Sequence, residues 1–182
     1  MEQLRSLLLL FFAAGAMTGA AALGAWWFEA GRRLRRTLKS MLRRHHDAEA
    51  IDAPHGRAAG LELENGEVAV LWDKGGSGLV YQLHEVEGAE LIVDGQVTAR
   101  VGRQGDRRAL DALPRDAEQV TLRLIFADAR WPEFELELWG PAQVARARDF
   151  SAVDAIRLGR RWLSHIDALL RAKPETPVSP AP

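Results

Sequence analysis

The chain contains no cysteine. This excludes a disulfide framework, thiolate zinc sites, iron–sulfur clusters and cysteine nucleophiles. It also lacks an excess of either charge, with a formal net charge of −1 at pH 7. Catalytic signatures are missing too. The run Gly75-Gly76-Ser77-Gly78 has no glycine two residues after its serine, so it is not a nucleophile elbow. It has no Gly-Lys-Ser/Thr, so it is not a phosphate-binding loop, and a hairpin turn explains it. His55, His84 and His165 show no metal-ligand spacing. Ser164 and His165 are neighbours on a helical pattern and face different directions, which excludes a catalytic pair. No catalytic residue, metal or cofactor is assigned, and the chain is expected not to be an enzyme.

The small net charge hides an asymmetry. Residues 1–47 hold eight basic and three acidic side chains, and the rest of the chain holds 16 basic and 22 acidic. A basic end on a mildly acidic domain is not the composition of a nucleic-acid binder. It matches an anionic membrane surface better.

What is present in abundance is an apolar run, Leu7–Phe28, ending in Trp26, Trp27 and Phe28. At ~1.5 Å per residue it would extend about 33 Å, enough for a hydrocarbon core of ~30 Å. Seven basic residues follow it and only Arg5 precedes it. The positive-inside rule then predicts a single-pass protein of the inner (plasma) membrane, with the N-terminus outside and the C-terminal domain cytoplasmic. The rival expectation is a cleaved signal peptide with Ala20–Ala22 as the small-residue site, which would export the domain. Gly15 and Gly19 form a GxxxG pair, which predicts a homodimer through the helix.

The chain divides into an anchor (1–28), a basic juxtamembrane helix and linker (29–58), a β domain with a C-terminal helix (59–172) and a proline-rich, disordered tail (173–182). In the second segment Leu34, Leu38, Met41 and Leu42 share one helical face. Arg32, Arg33, Arg35, Arg36, Lys39, Arg43 and Arg44 surround it, so the helix is expected at the lipid bilayer surface. A short coiled coil and a solvated linker helix are the competing uses.

In the third segment Leu61 and Leu63, then Val68, Val70 and Trp72, alternate with other residues around Asn65-Gly66, a strong hairpin signal. Further strands are expected at 79–84, 89–93, 96–101, 119–126 and 133–139, with Asp94-Gly95 turning one hairpin. Ser151 with Asp154 reads as a helix N-cap ahead of an amphipathic stripe that runs from Val153 to Leu170. Seven strands and a terminal helix predict an α+β fold, an antiparallel sheet or barrel capped by the helix.

Two motifs add a resemblance. Tyr81-Gln82-Leu83-His84-Glu85-Val86, followed by Glu90-Leu91-Ile92-Val93-Asp94-Gly95, is similar to the pattern of small bacterial membrane-anchored PH-like domains. The later hairpin, Phe126–Leu138, resembles theirs as well. The resemblance implies a PH-like fold over about residues 60–172. The basic first loop that lipid-binding members use is not matched, because Glu64-Asn65-Gly66-Glu67 is acidic here. The functional expectation is a binding or scaffolding domain held at the membrane, with an unknown protein partner. Trp131 and Trp139, flanking the last hairpin, are the candidate partner contacts. The alternative is an exported or membrane-bound, hydrolase-like enzyme. It would gather two or more of His84, Glu85, Asp94 and Asp128 in one concavity.

Overall fold

The computed structural model describes residues 29–42, 46–103, 114, 116–144 and 150–171. Eight strands form two four-stranded antiparallel sheets. The first is a meander of β1 (Ala48–Asp52), β2 (Arg57–Glu62), β3 (Glu67–Trp72) and β4 (Ser77–Gln82), in the order β1-β2-β3-β4. The second contains β5 (Val86–Val93), β6 (Gln96–Gly102), β7 (Val120–Phe126) and β8 (Glu133–Trp139), in the order β6-β5-β7-β8. Helix α1 covers residues 29–41, α2 is the single turn Pro141–Val144, and α3 is Ala152–Arg171.

The turns follow their residue chemistry. Asn65-Gly66 and Asp94-Gly95 turn the β2–β3 and β5–β6 hairpins, with φ of 65° at Gly66, 50° at Asp94 and 77° at Gly95. Positive φ at both central residues of the second turn suits the right-handed twist of its strands. Asp94 then accepts the backbone N–H groups of Glu118 and Gln119, both at 2.9 Å, and so ties this turn to the start of β7. Ser151 and Asp154 form the expected cap: the Asp154 N–H donates to Ser151 Oγ at 3.3 Å, and the Asp154 carboxylate accepts the Ser151 N–H at 3.1 Å.

One apolar core joins the inner faces of both sheets to α3. Val68 and Val70 of the first sheet, Leu91, Leu122, Leu124 and Leu136 of the second, and Ile156 and Trp162 of α3 are all buried. Gly159 matters to this contact, because a Cβ there would collide with Leu91. A second, smaller core lies on the other face of the first sheet. Leu34, Leu38 and Leu42 of α1 are at most 1 % exposed, against Ala58, Ala69 and Leu71.

Three expectations are corrected here. The strands do not form one seven-stranded antiparallel sheet or barrel. The β domain has eight strands in two separate sheets and no closed barrel among the described residues. β4 pairs only with β3, and the 3-10 turn Leu83–Glu85 carries the chain out of the first sheet before β5 begins. The extra strand is β1, in a segment expected to be linker. Second, the single-pass, transmembrane assignment and its inner-membrane location are withdrawn. No helix among the described residues is long and apolar enough to cross a membrane. Leu7–Phe28, with Gly15 and Gly19, lies outside the described residues, as do Arg43, Arg44 and the 173–182 tail. Third, the leucine face of α1, expected along lipid, is occupied by the sheet. Arg32, Arg33, Arg35, Arg36 and Lys39 are exposed around the rest of the helix. Arg35, beside the leucine face, donates to the Glu49 carboxylate of β1 at 3.0 Å.

Candidate functional site

The two sheets are joined at their β1 and β8 edges by side chains. Asp52, at the end of β1 and 1 % exposed, accepts the backbone N–H of Glu137 in β8 at 3.2 Å. It also accepts the N–H of His55 at 3.2 Å and holds the His55 Nδ1 at 2.9 Å. Burial raises the Asp52 pKa above its ordinary 3.8, and the bonds from His55 work against that rise. Arg57, first residue of β2, adds a second tie by donating to the Glu135 carbonyl at 3.1 Å.

Beside this seam the sheets part and leave a groove of about 550 Å3, within the ordinary range for ligand clefts. Its floor is Val70, Trp72, Tyr81, Phe126, Trp131 and Phe134. The Trp72 and Trp131 rings lie 5.2 Å apart, tilted by 35°, and Phe134 stands 6.5 Å from Trp72. Tyr81 stacks on Phe126 at 3.9 Å. The rim is charged, with His55, Arg57 and Lys74 alongside Asp73, Glu133 and Glu135.

Local sequence explains this placement. Trp72 is the last residue of β3 and points inward, in step with Val68 and Val70. The chain then turns sharply through Asp73, Lys74 and Gly75, at φ of 51°, 57° and 82°. Left-handed backbone is uncommon at a lysine and raises the local energy. Here it is held by the Lys74 N–H, which donates to the Gly56 carbonyl at 2.9 Å. Trp131 comes from the β7–β8 turn, where Pro132 lends its carbonyl to the Phe126 N–H at 2.8 Å. Asp128 of the same turn accepts the Arg130 N–H at 2.8 Å and the Tyr81 hydroxyl at 3.1 Å.

The expected contact residues fall in different places. Trp131 lies in the groove and is 51 % exposed. Trp139 sits at the other end of β8, half-buried, with Phe150 6.3 Å away, and does not line the groove. Among the four residues the enzyme alternative would gather, Asp128 reaches the Tyr81 hydroxyl, and Glu85 caps the Gln82 N–H at 2.8 Å. Asp94 lies at the β5–β6 turn, and none of the four lines the groove. The acidic row Glu133, Glu135, Glu137 is partly paired. Arg123 of β7 reaches Glu135 at 2.8 Å, Glu133 at 3.4 Å and the buried Glu90 at 3.0 Å. Arg103, the residue after β6, donates to the Leu83 and Val86 carbonyls at 2.7 and 3.0 Å. No group of three metal-ligating side chains occurs among the described residues.

Trp72, Phe134, His55, Arg57 and Lys74 are groove residues that periodicity alone does not single out. Trp72 and Phe134 read as inward strand positions, which they are, and only the gap between the sheets turns them into a surface. No protein family, curated protein or solved structure matches the chain, so the PH-like resemblance has no relative to be measured against.

Proposed function

We propose that the protein is a non-enzymatic binding or scaffolding domain whose aromatic groove receives an extended segment of a partner protein. The observation that carries this reading is Trp131, half exposed on a turn and packed at a tilt against Trp72 in the groove. A large aromatic left in water beside other aromatics, with a charged rim, is the composition of an interaction hot spot. The other large hydrophobics left exposed among the described residues are Val80 and Phe150.

The polar groups around the groove favour binding over catalysis. Asp52 and His55 form a carboxylate–imidazole pair of the kind that orients a base. Yet Asp52 spends its second oxygen on the β8 backbone, and no hydroxyl of the described residues bonds to the His55 Nε2. The pair acts as a seam between the sheets.

The test is a selection of displayed random peptides against the full chain, followed by measurement on Trp131→Ala. Selected peptides are expected to lose about 30-fold or more in affinity, the scale of a hot-spot truncation. Binders indifferent to both Trp131→Ala and Trp72→Ala would overturn the reading.

A further inference from the structure

The four edges of the two sheets are not equally protected. β1 and β8 face each other across the seam that Asp52 and Arg57 close. β6 carries the exposed Arg100 and lies against a bulge between Leu91 and Ile92 of β5, and both features discourage pairing with another chain. β4, which reads Ser77-Gly78-Leu79-Val80-Tyr81-Gln82, has none of these guards. It holds no charge and no proline, and it pairs with β3 without a register shift. We propose that this bare edge is an interaction surface whose partner is a second copy of the chain, joined β4 to β4 antiparallel about a twofold axis at Leu79.

The direction of the backbone groups sets the register. In an antiparallel strand the N–H and C=O of one residue point to the same edge, and successive residues alternate. The Gln82 N–H donates to the Glu85 carboxylate at 2.8 Å, so it points away from β3. Val80 and Gly78, two and four residues back, point the same way. Among the described residues nothing pairs with their outward groups. The Val80 side chain is itself 37 % exposed. A twofold axis at Leu79 sets Gly78 opposite Val80 of the second copy, and Val80 opposite its Gly78. Each pair then exchanges both backbone hydrogen bonds. An axis at Val80 would instead need the Gln82 N–H, which is already taken.

The side chains suit the same register. Gly78 presents no side chain on the outer face of the sheet, where Leu71 and Met41 border the place a Cβ would take, the Met41 Cε at 3.3 Å. Val80 of the second copy, directly opposite, comes to rest beside that methionine, a flexible side chain that fills irregular gaps. On the inner face Leu79 meets its own copy, and Tyr81 stands opposite Ser77. With no charge in the strand, no charge meets its like across the axis. One strand pair is a small interface, so association should rise with protein concentration.

The chain has no cysteine, so a single introduced one reports on this contact alone. Across the axis the two Leu79 residues form a non-hydrogen-bonded pair with Cα atoms about 4.5 Å apart. A disulfide spans about 4.4–6.8 Å between Cα atoms. The full chain carrying Leu79→Cys is oxidised with copper–phenanthroline and run on a non-reducing gel. Most of it is expected to appear as a covalent dimer, and Glu64→Cys, on the exposed β2–β3 turn, as monomer. Adding Val80→Lys to Leu79→Cys is expected to abolish the dimer while thermal melts show the fold intact, because Val80 is already exposed. Equal crosslinking by Leu79→Cys and Glu64→Cys, or a crosslink that survives Val80→Lys, would overturn the proposal. A crosslink stronger from Val80→Cys than from Leu79→Cys would overturn this register. Should Leu79→Cys fail to fold, amide hydrogen exchange at Gly78 and Val80 in the unaltered chain decides. Slowing as concentration rises supports the pairing, and exchange at the free rate at every concentration refutes it. If no dimer forms but a peptide selected from the random library slows exchange at Val80, the edge serves a different protein and the second copy is overturned.

Discussion

The Tyr81 hydroxyl donates to Asp128 Oδ2 at 3.1 Å, which links β4 of the first sheet to the β7–β8 turn of the second. The turn that carries Trp131 is thereby fixed to the groove floor. Burial, and then this bond to a carboxylate, push the Tyr81 pKa from 10.0 up to about 12. Backbone N–H groups, Arg130 first, hold the Asp128 carboxyl below its ordinary value. A raised pKa means that folding favours the neutral phenol. Its contribution is present in full below pH 10 and is lost as the pH rises through about 12. Tyr81 is the single tyrosine of the chain, so tyrosinate absorbance reports on it alone. A midpoint near 12 is expected in the folded protein. In Asp128→Asn it is expected to fall yet stay above 10.0, because burial is the larger cause. A midpoint at 10.0 in the wild type would break the link.

Asp52 gives a test of the seam. Asp52→Ala strands the N–H groups of His55 and Glu137 and removes the partner of the imidazole. A cost of about 2–3 kcal/mol is expected by urea denaturation. Asp52→Asn keeps one acceptor and carries no buried charge, so it is expected to cost less. The sign with pH is set by the raised pKa. Its contribution to folding is greatest below 3.8 and declines as pH rises through the folded-state value. The gap between wild type and Asp52→Asn should therefore narrow, or reverse, on going from acid to neutral pH. An Asn variant as unstable as the Ala variant at every pH would show that charge burial is not what limits this site.

Helix α1 is part of the folded domain by its contacts. Leu38 is fully buried against the outer face of the first sheet, and a Cβ at Gly60 would sit 2.7 Å from Leu42 Cδ1. Leu38→Ala is expected to cost about 2–5 kcal/mol, as for a core leucine. Leu38→Arg should release the helix, seen as fast amide hydrogen exchange over residues 30–42 while β5 and β7 stay protected. A helix lying free of the sheet would leave domain stability unchanged in both variants, and that result would refute the docking.

Much of this architecture is legible in the sequence where short-range chemistry decides. Asn65-Gly66 and Asp94-Gly95 announce their hairpins, Leu122 and Leu124 alternate with polar neighbours, and Ser151 with Asp154 marks the start of α3. β1 is hidden because its inward residues are Ala48 and Ala50, which are small and poor in strand propensity. The leucine stripe of α1 is plain, but periodicity says only that something apolar covers it. The clue lies elsewhere, in β3. Ala69 and Leu71 intervene between Val68, Val70 and Trp72, so that strand is apolar on both faces and needs a cover on each. Trp131 stands out because an Arg-Trp-Pro turn exposes it. Its partner Trp72 does not, because a tryptophan at an inward strand position looks like core until the two sheets are seen to part.

That pair sets the last prediction. Trp131 is half exposed, and its packing is against Trp72. Trp131→Ala should therefore cost only about 0.5–1.5 kcal/mol of stability, the scale of one aromatic pair. Its effect on binding should be larger, about 2 kcal/mol or more, because a ligand seated on both rings loses one of them. Trp72→Ala should do the reverse, since Trp72 also packs on the main core. Its stability loss is expected at about 3–5 kcal/mol, and the measured binding loss must be corrected for unfolded protein. Thermal melts and peptide titrations on the two variants give both numbers. Equal stability losses would mean that Trp131 is a structural residue like its partner. An unchanged peptide affinity in Trp131→Ala would mean that the exposed ring serves no ligand.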